Sequence, residues 1–143
     1  MRRRKIPLKL ATRIRQQARD RCGYCCLSSE ALIGMAMELE HLVPFASGGK
    51  TTENNLWLSC RRCNEFKGAY TNAIDPVTGE EFVLFNPRRQ IWSEHFRWND
   101  DGTEIVGVSP TGRATVVALR LNHPIIVTAR KLWASVGWWP PVD

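Results

Sequence analysis

The chain has 143 residues, enough for one domain with a modest core and a small appendage. Its 43% hydrophobic content is ordinary for a soluble protein, and no apolar run reaches the ~18–20 residues that span a bilayer, so no membrane-spanning helix is expected. The net charge of +6 is unevenly placed: nine of the twenty Lys and Arg lie at Arg2, Arg3, Arg4, Lys5, Lys9, Arg13, Arg15, Arg19 and Arg21, opposed there only by Asp20.

In chain order, Met1 to Lys5 reads as a basic arm. Ile6 to Leu10 is too short, and too interrupted by Pro7 and Lys9, to form a signal-peptide core, so a cytoplasmic protein with reduced thiols is expected. Leu10, Ile14 and Ala18 recur every four residues, which predicts an amphipathic helix over 8–21 with a basic outer face. Ala31 to Leu39 is a strand candidate running into Glu40-His41, and Ser47 to Thr52 is a polar loop. Asn55 to Leu58 is short and apolar, and Cys60 to Gly68 reads as a helix stopped by Gly68. Asp75 to Glu80 is a turn before a strand at Glu81 to Phe85. Pro87 to Phe96 reads as a short helix. Asn99-Asp-Asp-Gly102 is a hairpin signal between Phe96–Trp98 and Glu104–Val108. Ser109-Pro110 opens a helix to about Leu121, and Pro124 opens another to about Val136, closed by Gly137.

The charge asymmetry fits a polyanionic partner, since each Lys or Arg placed at a phosphate releases condensed counterions; a merely solvated face reads equally well from charge alone. The cysteines say more. Cys22-x-x-Cys25 and Cys60-x-x-Cys63 are two thiol pairs with 34 residues between them. A two-residue gap lets both thiolates of a pair reach one ion, and two pairs complete the tetrahedral sulfur shell that Zn2+ prefers. The ion would clamp the first helix to the second. Redox pairs or buried apolar cysteines are the alternatives, and neither accounts for two pairs flanking a single His-containing loop. Cys26 is left over, as a competing ligand or a small buried hydrophobe.

Between the pairs stand Glu40-His41, Gly48-Gly49 and Asn55, and Asn64 and Lys67 follow the last thiols. Hydrolysis of a phosphodiester needs an activated water, a Lewis acid and in-line geometry. His41 is the natural general base, because an unperturbed imidazole titrates near pH 6.5. On a strand Glu40 would point to the opposite face, free to bind a cation. Asn64 opens a helix beside the second thiol pair, which would fix its position. Oxygen ligands from Glu40 and Asn64 suit Mg2+ or Mn2+. A lone His is more often a structural side chain; His95, on a Trp/Phe-rich stretch, and His123, before Pro124, have no comparable setting.

The stretch EHLVPFASGGKTTENNLWLSCRRCNEFKG resembles the HNH endonuclease motif, in the subgroup bracketed by two CxxC knuckles. The resemblance implies a ββα-metal (His-Me finger) core acting on DNA. By position, His41 matches the general base, Glu40 the acidic metal ligand, and Asn55 the central Asn that orders the loop. Asn64 matches the last motif position, a metal ligand that is His in many members, so the resemblance is to an HNN variant. Lys67 matches a basic residue that commonly follows on the same helix face.

The second half carries no catalytic signature. Trp92, Trp98, Trp133, Trp138 and Trp139 fit a core better than a base-stacking surface. Arg61 and Arg62, at a helix N-terminus, join Arg2, Arg3 and Arg4 as candidate phosphate contacts, with Arg88 and Arg89 further on.

The sequence thus predicts a single α+β domain over 1–143. It comprises the arm (1–5), a zinc-stapled core (6–72), and a mixed hairpin and helix extension (73–143) packed on that core. The expected activity is metal-dependent nicking of DNA with weak sequence selectivity, using structural Zn2+ and catalytic Mg2+ or Mn2+ with no small-molecule cofactor. Cleavage of both strands would need a homodimer. The rival readings are an inactive zinc-stabilised nucleic-acid-binding module and a protein-interaction domain built on the Trp-rich half.

Overall fold

A computed structural model describes residues 5–29 and 37–141. The arm at Arg2, Arg3 and Arg4, and most of the strand expected from Ala31, lie outside the described residues. The fold is α+β, built of short hairpins and helices. The chain divides into two compact units, Met1–Thr71 with Asn86–Arg88, and Asn72–Phe85 with Arg89–Asp143.

The first unit begins with α1 (Leu8–Gln17), which buries Ala11 and Ile14. The expected helix to Arg21 stops early, because the chain must turn back to present the first thiol pair. Arg19 and Asp20 adopt left-handed backbone (φ 55° and 54°), a region in which Asp is among the better tolerated residues. The Asp20 carbonyl then accepts from both Ser29 N and Ser29 Oγ at 2.9 Å, and Cys22 N donates to the Leu27 carbonyl at 2.8 Å.

Strand β1 (Glu38–His41) pairs antiparallel with β2 (Leu56–Ser59), in a register that sets Glu40 opposite Trp57 and His41 opposite Leu56. Leu56 and Leu58 are fully buried, with Ile14 and Tyr24 also in this core. Helix α2 (Arg61–Lys67) follows directly, giving the ββα order. Cys60 caps this helix from outside, its sulfur accepting from Cys63 N at 3.4 Å, and Gly68 ends it with φ 51° and ψ −129°, where L side chains are strained.

Residues 86–88 strap onto this unit. The Arg88 guanidinium donates to the Leu56 carbonyl at 3.1 and 3.0 Å and to Gln17 Oε1 at 2.8 Å, and it lies 4.9 Å over the Trp57 ring. The helix expected over Pro87 to Phe96 is therefore wrong. Residues 87–89 form a turn, with Asn86 Oδ1 accepting from Arg88 N, and only Trp92–His95 (α3) is helical.

In the second unit, β3 (Asn72–Ile74) pairs with β4 (Glu81–Val83) across the expected turn at Asp75. Strand β3 was not expected, and β4 is shorter than the Glu81–Phe85 expected. The Asp75 side chain accepts from Val77 N and Thr78 Oγ1, and Arg113 grips it with two contacts of 2.9 Å. Strands β5 (Phe96–Trp98) and β6 (Ile105–Gly107) form the expected hairpin. Its turn is closed by Asn99 Oδ1 accepting from Thr103 N and Glu104 N, with Gly102 at φ 73°.

Helix α4 (Pro110–Ala118) starts as expected, with Ser109 Oγ accepting from Gly112 N. It ends before Leu121, where Arg120 takes φ 49°. A Cβ on Gly112 would stand 2.0 Å from the His95 carbonyl, so glycine lets α4 lie close against that backbone. Helix α5 (Pro124–Ser135) is capped by His123 Nδ1 and buries Arg130, whose guanidinium donates to the carbonyls of Thr103 and Leu121. Trp92, Trp98, Trp133 and Trp139 contact one another through ring pairs 5.1–5.5 Å apart, and only Trp138 of the five is largely exposed. Most of these tryptophans therefore serve packing within this unit.

Candidate active site

The four thiols of Cys22, Cys25, Cys60 and Cys63 are all buried, and their sulfurs lie within 4.8 Å of one another. A tetrahedron with metal–sulfur bonds of about 2.3 Å has edges of about 3.8 Å, so the cluster has the dimensions of an S4 metal shell. The Cys25 and Cys60 sulfurs, one from each pair, are 3.7 Å apart. Burial opposes a charge on Cys22, but hydrogen bonds from Cys25, Cys60 and Cys63 outweigh it and hold that thiol well below its ordinary range. No disulfide forms, and Cys26 is half-buried outside the cluster.

Strand β1 carries three polar side chains with separate surroundings. Glu38 Oε1 accepts from Asn64 Nδ2 at 2.9 Å. Glu40 is almost fully buried, and its Oε1 takes the Tyr24 hydroxyl at 2.8 Å and Lys67 Nζ at 3.1 Å. Its Oε2 is buried with no hydrogen-bond partner among the described residues. His41 is half-buried, with Nε2 2.9 Å from Thr51 Oγ1. Burial pushes the Glu40 carboxyl up to about 7, against the lowering pull of the Lys67 charge and the Tyr24 hydroxyl.

Asn55 closes the loop between β1 and β2. Its Oδ1 accepts from Val43 N at 2.8 Å, and its Nδ2 donates to the Val43 and Lys50 carbonyls at 2.9 Å each. Its own backbone carbonyl accepts from Leu42 N at 2.8 Å. A Cβ on Gly49 would lie 1.7 Å from the Val43 carbonyl oxygen and 2.8 Å from Asn55 Nδ2, so the loop closes this tightly only with glycine there. One amide thus ties both sides of the loop that follows His41 and bears Thr51.

The structure brings Glu40 together with Lys67 at one point. Lys67 is buried and also donates to the Leu42 carbonyl at 3.3 Å. Asn64, on the same helix, meets β1 through Glu38. Arg61 is exposed, whereas Arg62 lies partly under cover with its guanidinium 5.3 Å over the Phe66 ring. Sequence reasoning missed Tyr24, Glu38 and Thr51. Tyr24 stands between the first two thiols and Glu38 two residues before Glu40, so strand alternation alone puts Glu38 on the Glu40 face.

The donor set fits two kinds of cation. Four clustered sulfurs suit a soft or borderline ion, and a carboxylate oxygen such as Glu40 Oε2, buried without a partner among the described residues, suits a hard one. No helix among the described residues is long and apolar enough to cross a membrane.

No curated protein and no solved structure matches the chain. Residues 21–69 match the family described as HNH endonuclease, a span that starts beside the first thiol pair and takes in β1, β2 and α2. This part of the chain is an HNH endonuclease domain carrying a buried four-cysteine cluster.

Proposed function

We propose that the protein is a metal-dependent DNA endonuclease, with His41 as general base and a hard divalent cation held by Glu40 and Asn64. The observation that carries this reading is the Glu40 carboxylate, next in sequence to His41. One oxygen is held by two donors, and the other is buried without one among the described residues. A buried carboxylate oxygen lacking a partner is costly unless something cationic meets it.

Mg2+ or Mn2+, when bound, supplies charge stabilisation at the phosphate and the leaving oxygen. His41 accepts the proton of the attacking water, and Thr51 orients the ring. Asn55 holds the loop, and with it the imidazole, in place. Lys67 completes the set by neutralising the inner oxygen of Glu40. Cys22, Cys25, Cys60 and Cys63 would hold a structural Zn2+, which requires a reducing compartment such as the cytoplasm.

Arg61 and Arg62, with Arg2, Arg3 and Arg4 of the arm, contact phosphates. Such contacts give weak sequence selectivity, and one site per chain gives nicks unless two chains cooperate. Supercoiled plasmid incubated with the zinc-loaded protein should be nicked with Mg2+ or Mn2+ and left intact in EDTA. DNA binding without nicking at any metal concentration would replace this reading with that of an inactive binding module.

A further inference from the structure

We infer that Tyr24 is a positioning residue for the catalytic cation: from inside the first thiol knuckle it holds one oxygen of Glu40 and turns the other toward the ion. The inference rests on the reading of Glu40 as a cation ligand and adds a residue to it.

Tyr24 is fully buried, and its hydroxyl donates to Glu40 Oε1 at 2.8 Å. Lys67 Nζ reaches the same oxygen at 3.1 Å, while Oε2 has no partner among the described residues. A carboxylate rotates about its last side-chain bond, so a single donor leaves its second oxygen free to swing. Two donors converging on one oxygen from different elements fix the plane of the group. The oxygen left over then has one direction.

Tyr24 is itself fixed at its backbone. Its N–H lies 3.4 Å from Cys22 Sγ, and the preceding Gly23 N donates to the Leu58 carbonyl of β2 at 3.0 Å. A Cβ on Gly23 would meet the Trp57 ring at 2.5 Å, so the knuckle sits flush on the strand that pairs with β1. The thiol cluster thereby does more than staple helices. Through Tyr24 it sets the orientation of a side chain 16 residues away.

Groups that orient a metal ligand typically contribute about 10–100-fold in metal affinity. Tyr24→Phe keeps the ring and removes only the hydroxyl. The zinc-loaded variant should keep its zinc and its fold, yet bind Mn2+ at least about tenfold more weakly in an EPR titration. A wild-type Mn2+ affinity in the folded variant would overturn the inference.

Should Tyr24→Phe fail to fold, the wild type supplies the test. The chain has two tyrosines, Tyr24 and the exposed Tyr70. In 3-fluorotyrosine-labelled protein, the fluorine signal that survives Tyr70→Phe belongs to Tyr24. Mg2+ should shift it saturably in the wild type and leave it unmoved in Glu40→Gln. An unmoved Tyr24 signal in protein that does bind Mg2+ overturns the inference while the endonuclease reading stands. Protein that binds neither Mg2+ nor Mn2+ overturns both.

Discussion

The side-chain amide of Asn64 donates to Glu38 Oε1 across 2.9 Å, joining α2 to β1. An amide whose nitrogen is committed to a carboxylate presents its oxygen on the other side, as a cation ligand requires. On the proposed reading of Asn64 as a ligand, Glu38 sets which end of the amide faces the cation. An amide oxygen is a hard, neutral ligand, so the wild type should work best with Mg2+ or Mn2+. Asn64→Ala should lower metal affinity and rate together, with excess metal recovering part of the activity. Asn64→His should still cleave but shift its preference toward Co2+ or Ni2+. Rates across metal concentrations in the three proteins check this, and identical profiles in wild type and Asn64→Ala would remove Asn64 from the ligand set.

Zinc should be present at one ion per chain, held by Cys22, Cys25, Cys60 and Cys63. Four-thiolate sites contribute on the order of 10 kcal/mol of folding free energy. Cys25→Ser or Cys60→Ser should therefore yield protein that is unfolded in its first unit or insoluble. Elemental analysis of protein purified without chelator reads the stoichiometry directly. A zinc-free yet folded protein would refute a structural ion.

The buried ion pair of Lys67 with Glu40 is expected to be costly to break from one side. Removing one partner of such a pair typically destabilises by about 3–5 kcal/mol, because the other is left charged and buried. Lys67→Ala should lower the thermal midpoint strongly, and Lys67→Met with Glu40→Leu should recover much of the loss at the expense of cleavage. Thermal denaturation of the single and double variants measures the coupling.

The Asp75 carboxyl is held well below the usual carboxylate range, first by its hydrogen bonds from Arg113 and then by those from Val77 N and Thr78. A depressed folded-state pKa contributes stability that is present above the unfolded value, near 4, and is lost as pH falls toward the folded value. The second unit should therefore weaken below about pH 4. Asp75→Asn should be less stable at neutral pH and lose less between pH 5 and 3. Equal acid sensitivity in both proteins, followed by circular dichroism, would show that the pair does not govern it.

The parts legible in the sequence are those whose chemistry is written in local spacing. Two CxxC pairs can meet at one ion wherever the fold puts them, and Asn-Asp-Asp-Gly after Trp98 closes a hairpin by its own backbone preferences. Gly68 stops a helix, and Pro110 and Pro124 start helices, for reasons confined to one turn. Partners chosen by tertiary structure were not legible. Tyr24 reaches Glu40 across 16 residues and Asn64 reaches Glu38 across 26, and neither distance carries a periodicity. The same reason explains the misread helix at Pro87. Arg88 bonds Leu56 and Gln17, respectively 32 and 71 residues away, so residues 86–88 are shaped by the first unit instead of their own helix preference.

The central claim is that His41 performs the chemistry, and its most direct test is the nicking rate of His41→Ala. Supercoiled plasmid should be incubated with zinc-loaded wild type and variant in saturating Mn2+, after circular dichroism and zinc content show both to be intact. Loss of a general base typically costs about 10²–10⁴-fold, so the variant should nick at least a hundredfold more slowly while still binding DNA. A folded, zinc-replete His41→Ala protein that nicks at the wild-type rate would contradict the account.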